Sequence, residues 1–117
     1  MIEDLVARVF ADRNAAHLAH LATNSYAAHM ALGAFYDDVI GAVDSLVEAY
    51  QGRFSLIEAV DLKDHKPGEI GATLTASCAW IETNRSKIAK NVSSLENLVD
   101  ALSDVYLRTL YKLENLT

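Results

Sequence analysis

A chain of 117 residues that is 51% hydrophobic and 22% charged can bury a core without covalent staples and is too apolar to be disordered. The lone cysteine, Cys78, excludes an intrachain disulfide and suits a reducing compartment. A net charge of -6 with no basic run argues against nucleic acid as a partner, and the absence of a signal-like or membrane-spanning apolar stretch predicts a cytoplasmic protein with no membrane partner.

Sparse glycine, a single proline at Pro67 and no sustained period-two alternation predict an all-α chain. The first helix is expected over about residues 2–22, with Ile2, Leu5, Val6, Val9, Phe10, Arg13, Ala16, His17, His20 and Leu21 at the three-four spacing of one buried face. Thr23 to Ser25 interrupt, and Ser25 is placed to cap a second helix over about 26–51, closed by Gly52. Its core stripe is Leu32, Phe35, Val39, Val43, Leu46 and Tyr50.

The segment "RFSLIEAVDLKDHKPG" is the one long connection, with room for a helical turn around 56–60. His65, Asp61 and Asp64 read there as loop surface. A third helix is expected over about 69–90, carrying Trp80 and a buried thiol at Cys78, and a fourth after "NVSS", with Ser93 and Glu96 as a capping box. Leu95, Val99, Leu102, Tyr106, Leu110 and Leu113 form its stripe. Two short joins and one long one predict a four-helix bundle of two hairpins, a ferritin-like arrangement.

The second helix is unusual. No lysine or arginine occurs between Arg13 and Arg53, and alanine and glycine occupy much of the side that water should cover. A helix apolar nearly all round needs cover on both sides, which predicts a homodimer or higher homo-oligomer. At about 100° per residue, His29, Asp37, Asp44 and Glu48 share a second stripe beside the core face, whereas Asp38 points to solvent. Asp44 and Glu48 stand one turn apart with no local cation, so a metal ion or a protonated histidine is the natural counter-charge. His17 and His20 fall on the inward face of the first helix. Imidazoles with carboxylates suit iron, zinc or manganese. Arg13 is expected to pair with Asp37 or Glu48.

A histidine near the end of helix one, a second early in helix two and an acid pair one turn apart resemble Dps-type miniferritins. In that family two histidines, an aspartate and a glutamate bind iron between twofold-related subunits. Asp44 and Glu48 stand fifteen and nineteen residues after His29, the family spacing, and His17 stands twelve before it. The resemblance therefore implies His17, His29, Asp44 and Glu48 as ligands of a ferroxidase-like centre, with His20 in reserve. Leu18 stands where the family usually has Trp, and Gly33 replaces a further acid, for which Asp37 is the nearest substitute. The basic tail that some members use on DNA is absent. The chain also resembles a group of small bacteriophage proteins. The competing expectation is a metal-free helical scaffold or interaction protein of a phage.

Overall fold

A computed structural model describes residues 1–64 and 68–117. His65 lies outside the described residues. Five helices follow one another: α1 (Ile2–Ala22), α2 (Tyr26–Arg53), α3 (Ile70–Thr83), α4 (Arg85–Ile88) and α5 (Ser93–Asn115), and no strand occurs among the described residues. None of these helices is long and apolar enough to cross a membrane.

The join between α1 and α2 is built from side-chain caps. Thr23 Oγ1 accepts from the Ser25 backbone N–H at 3.1 Å, and Ser25 Oγ accepts from the Ala28 N–H at 3.1 Å. These bonds satisfy N–H groups that lack helical partners at an N-terminus. The chain reverses in three residues, so α2 returns against α1. Lys90, just ahead of α5, lies over Tyr50 and Phe54 at the end of α2. Hence α5 starts where α2 finishes and runs antiparallel to it. Arg85, just after α3, reaches Glu96 and Asp100 near the start of α5, so α3 and α5 are antiparallel as well.

The principal pairings are α1 with α2 and α3, and α5 with α2 and α3. One apolar cluster lies between them. All six expected core positions of α2 are buried, as are Leu95, Val99, Leu102 and Tyr106 of α5. The Tyr106 ring meets Phe35 edge-on at 5.0 Å. A fully buried side chain such as Leu46 or Leu102 contributes about 1.5–3 kcal/mol.

Several local expectations need correction. The turn of helix at 56–60 does not form; the Ile57 N–H goes to the Gln51 side chain and the Glu58 N–H to Glu3 Oε2, which ties this extended stretch to the bottom of α1 and α2. The third helix stops at Thr83. Asn84 Nδ2 donates to the Trp80 carbonyl at 2.8 Å, the side-chain competition with backbone bonding that makes Asn a helix terminator. The chain then makes the short α4 and turns through Lys90 (φ 51) and Asn91 (φ 60). Gly52 lies inside α2, which ends at Arg53 with Phe54 as its C-cap. The capping box at Ser93 is not made. Val92 is the N-cap, and Glu96 instead accepts from Arg85 Nη1 at 3.1 Å and Ser86 Oγ at 2.9 Å.

Candidate functional site

The hairpin between α1 and α2 gathers four rings. His17 stacks on Tyr36 at 4.0 Å between centroids, and His20 stacks on His29 at 3.7 Å. His20 also meets His17 at 6.2 Å and Tyr36 at 5.3 Å, both edge-on. The two family-matched histidines are thus brought to one place with His20 between them. The residue held in reserve by sequence is the centre of the cluster.

Two reciprocal hydrogen bonds fix this arrangement. His20 Nδ1 donates to the His29 carbonyl at 2.6 Å, and His29 Nδ1 donates to the His20 carbonyl at 2.9 Å. A carbonyl can only accept, so both Nδ1 atoms carry hydrogen. In the neutral rings each Nε2 then keeps its lone pair, the arrangement in which a metal-binding histidine is usually held. The His20 carbonyl lies in the last turn of α1, where helical N–H partners run out; His29 supplies one from the next helix.

Gly33 belongs to the same unit. A Cβ placed there would meet His20 Cε1 at 3.1 Å and Nδ1 at 3.2 Å. The imidazole of His20 therefore occupies the space beside residue 33 in which the family's acid would begin. Glycine at 33 and histidine at 20 are one packing choice.

The acids lie elsewhere. Asp37, Asp44 and Glu48 are exposed on α2, and none is in an ion pair with any described residue. At 1.5 Å per residue Asp44 is about 22 Å, and Glu48 about 28 Å, along the axis from His29. One protomer cannot bring them to its own histidines, and among the described residues no group of three or more His, Cys, Asp or Glu side chains is placed to hold a metal ion. The donor types nevertheless suit a divalent metal: Nε2 of His20 and His29 is free of the bonds that anchor the rings, and the carboxylates have no competing cation.

The first helix differs from its expected face by one position. Asp12, not Arg13, sits in the buried stripe and is 4% exposed. Leu5, Val9, Asp12 and Ala16 follow the three-four spacing, so the pattern was present, but a carboxylate inside it reads from sequence as an interruption. Arg13 is half-buried; its guanidinium lies 5.2 Å from the Tyr36 ring centroid and donates to Asn14 at 3.1 Å. The expected pairing with Asp37 or Glu48 is not made, because Tyr36 offers a face on the adjoining helix within reach. Leu21 is exposed rather than buried, and Leu18, Tyr26 and Met30 are exposed with it at the hairpin end.

Asp12 is the residue that sequence reasoning missed. Its Oδ2 accepts from the Tyr106 hydroxyl at 2.6 Å across the core. Burial pushes its pKa up, against the lowering effects of Tyr106, Ser77 and the Arg8 charge. Burial and then the Asp12 charge push the Tyr106 phenol well above its ordinary range. Arg8, one turn earlier, donates to Ser77 Oγ at 3.2 Å and lies over Trp80, 4.8 Å from the ring centroid.

No curated protein and no solved structure matches the chain. A family model matches residues 20–113, a span that takes in His20, His29, Gly33, Asp44 and Glu48 but begins after His17. The chain belongs to that family, a family of unknown function designated DUF5856.

Proposed function

We propose that the chain is a ferritin-like, metal-binding homo-oligomer whose site is shared between twofold-related copies. The helices α1, α2, α3 and α5 are read as a four-helix bundle, with α1 and α5 on one diagonal and α2 and α3 on the other. His17 and His29 of one copy face Asp44 and Glu48 of the next. His20 adds an imidazole where the acid is missing at Gly33, and Asp37 lies near the crossing point. Iron is the first candidate, with zinc or manganese as alternatives. Bound iron would supply electron transfer to oxygen or peroxide.

The placement of these residues on α2 carries the reading. The point halfway between His29 and the Asp44–Glu48 pair falls at residues 37–38, close to the middle of a helix spanning Tyr26–Arg53. A second α2 crossing antiparallel there sets each histidine end against the other's acid end, as a twofold interface requires. The side in question is small and open: a Cβ at Gly41 meets nothing within 4 Å.

The test is anaerobic iron loading of protein purified without chelator, followed by exposure to oxygen, with His29→Ala and Glu48→Ala as controls. Mixed oligomers of the two variants distinguish a shared site from a site within one chain. Wild-type protein should bind and oxidise iron, each variant should not, and the mixture should regain part of the activity. Substoichiometric metal in the purified protein together with no iron oxidation above the controls refutes the metal reading. The second reading, a metal-free scaffold or interaction protein, is favoured by the separation of histidines and acids within one chain. It predicts that the same substitutions lower oligomer mass while added metal changes nothing.

A further inference from the structure

The groove between α1 and α3 has a cavity volume of about 780 Å³ and is distinct from the histidine cluster. Ala11, Ala15 and Ala76 keep its walls low, and Asp12, Ser77, Arg8 and Trp80 supply its chemistry. Asp12 and Tyr106 hold each other at 2.6 Å, so the carboxyl cannot swing away. Arg8 spends one bond on Ser77 and lays its guanidinium over Trp80. No carboxylate of a described residue lies within 4 Å of that guanidinium. Asp4, which also lines the groove, is occupied by the N-terminal ammonium at 3.7 Å. Lys63 and Asp64 line the remainder of the wall from the connection.

A planar cation with free N–H groups, held over an aromatic ring, is built to take a carboxylate through two parallel hydrogen bonds. One helical turn along, Asp12 offers a fixed acceptor. Residues four apart on a helix have Cβ atoms about 5–6 Å apart, a span that a small acid with a polar substituent next to its carboxylate can bridge. Convergent polar groups around a preformed concave site are the usual form of a small-molecule pocket.

We infer that this groove binds a small organic acid bearing a hydroxyl or amino group beside its carboxylate, with the carboxylate on Arg8 and the adjacent donor on Asp12. Tyr106 and Ser77 act as positioning residues. They fix Asp12 and Arg8 before the ligand arrives, so little ordering cost is left to binding.

Trp80 is the only tryptophan and lies under the Arg8 guanidinium, so its fluorescence reports on the groove. Calorimetry gives a readout independent of the fluorophore. The probes are L-malate, with a hydroxyl, L-serine, with an amine, and acetate, which has a carboxylate alone. Malate or serine should give a saturable signal, binding about tenfold or more tightly than acetate, the ratio expected for one added hydrogen bond to a charged group. Arg8→Gln should abolish binding of all three, and Asp12→Asn should bring malate and serine towards the level of acetate. Arg8 is half-buried and lies outside the apolar core cluster, and circular dichroism checks that Arg8→Gln folds; should Asp12→Asn fail to fold, Arg8→Gln and the comparison with acetate decide the matter. The inference is overturned by no saturable signal with malate and serine, by acetate binding equally well, or by binding that survives in folded Arg8→Gln.

Discussion

Replacing Tyr106 with phenylalanine removes one hydroxyl from the core and leaves the ring in its edge-on contact with Phe35. The lost interaction is the 2.6 Å bond from the phenol to Asp12 Oδ2, with both residues buried. A hydrogen bond to a charged group is worth about 1.5–3 kcal/mol, and to a neutral one about 0.5–1.5 kcal/mol. The loss should therefore depend on the ionisation of Asp12. Burial raises the Asp12 pKa in the folded protein above its ordinary value of 3.8, and the Tyr106 bond opposes that rise. A group raised on folding is protonated first in the native state, so stability falls as pH increases from 3.8 through the folded value, and the penalty is complete above it. Without the phenol the folded pKa rises further and the window extends upward. Tyr106→Phe should thus be destabilised more at pH 7 than near pH 4, by about 1.5–3 kcal/mol where Asp12 is ionised and by about 0.5–1.5 kcal/mol where it is protonated. Urea titrations at the two pH values, read by circular dichroism, measure the difference directly. In a domain of this size each kcal/mol corresponds to about 4 °C in melting temperature. An equal loss at both pH values, or a larger loss in acid, refutes the assignment of Asp12 as a buried carboxyl whose charge Tyr106 supports.

Two further outcomes concern the histidine cluster and the thiol. Gly33→Ala should be neutral or destabilising by up to about 2 kcal/mol, because the new Cβ pushes His20 off its bond to the His29 carbonyl and offsets the usual helix gain of about 1 kcal/mol. Gly52→Ala, where a Cβ meets nothing within 4 Å, should gain about 0.5–1 kcal/mol, and equal effects of the two substitutions in urea titrations would refute the packing of His20 on Gly33. Cys78 is buried, and burial followed by the nearby Glu82 charge pushes its thiol up to about 11. At pH 8 only about one part in a thousand is thiolate, so an aromatic disulfide reagent should label native protein far more slowly than protein in urea; comparable rates would show the thiol to be accessible.

The helical core was readable because it depends on a repeat. Leu32, Phe35, Val39, Val43, Leu46 and Tyr50 recur at the period of a helix, and burial of that stripe needs no knowledge of what covers it. The break at Thr23 to Ser25 was equally local, since Ser25 caps an N–H three residues away. The C-terminal end of α3 and the capping of α5 differ from expectation for another reason. Asn84 Nδ2 takes the Trp80 carbonyl, and Glu96, expected in a capping box with Ser93, instead takes Arg85 and Ser86. Spacing alone does not rank such alternatives. Asp12 was missed because the hydroxyl that makes its burial tolerable comes from Tyr106, ninety-four positions later.

The sequence by itself determined that the chain is helical, which face of α2 is buried, and that three histidines meet at a hairpin. These follow from helical periodicity and from caps a few residues apart. Only the tertiary structure decided that His20, lying over Gly33, is the middle of that cluster. It also set Asp12 beside an open groove. The physical reason is common to both. A side chain's role depends on which donor, acceptor or empty space a neighbouring helix presents, and that is settled when the helices pack.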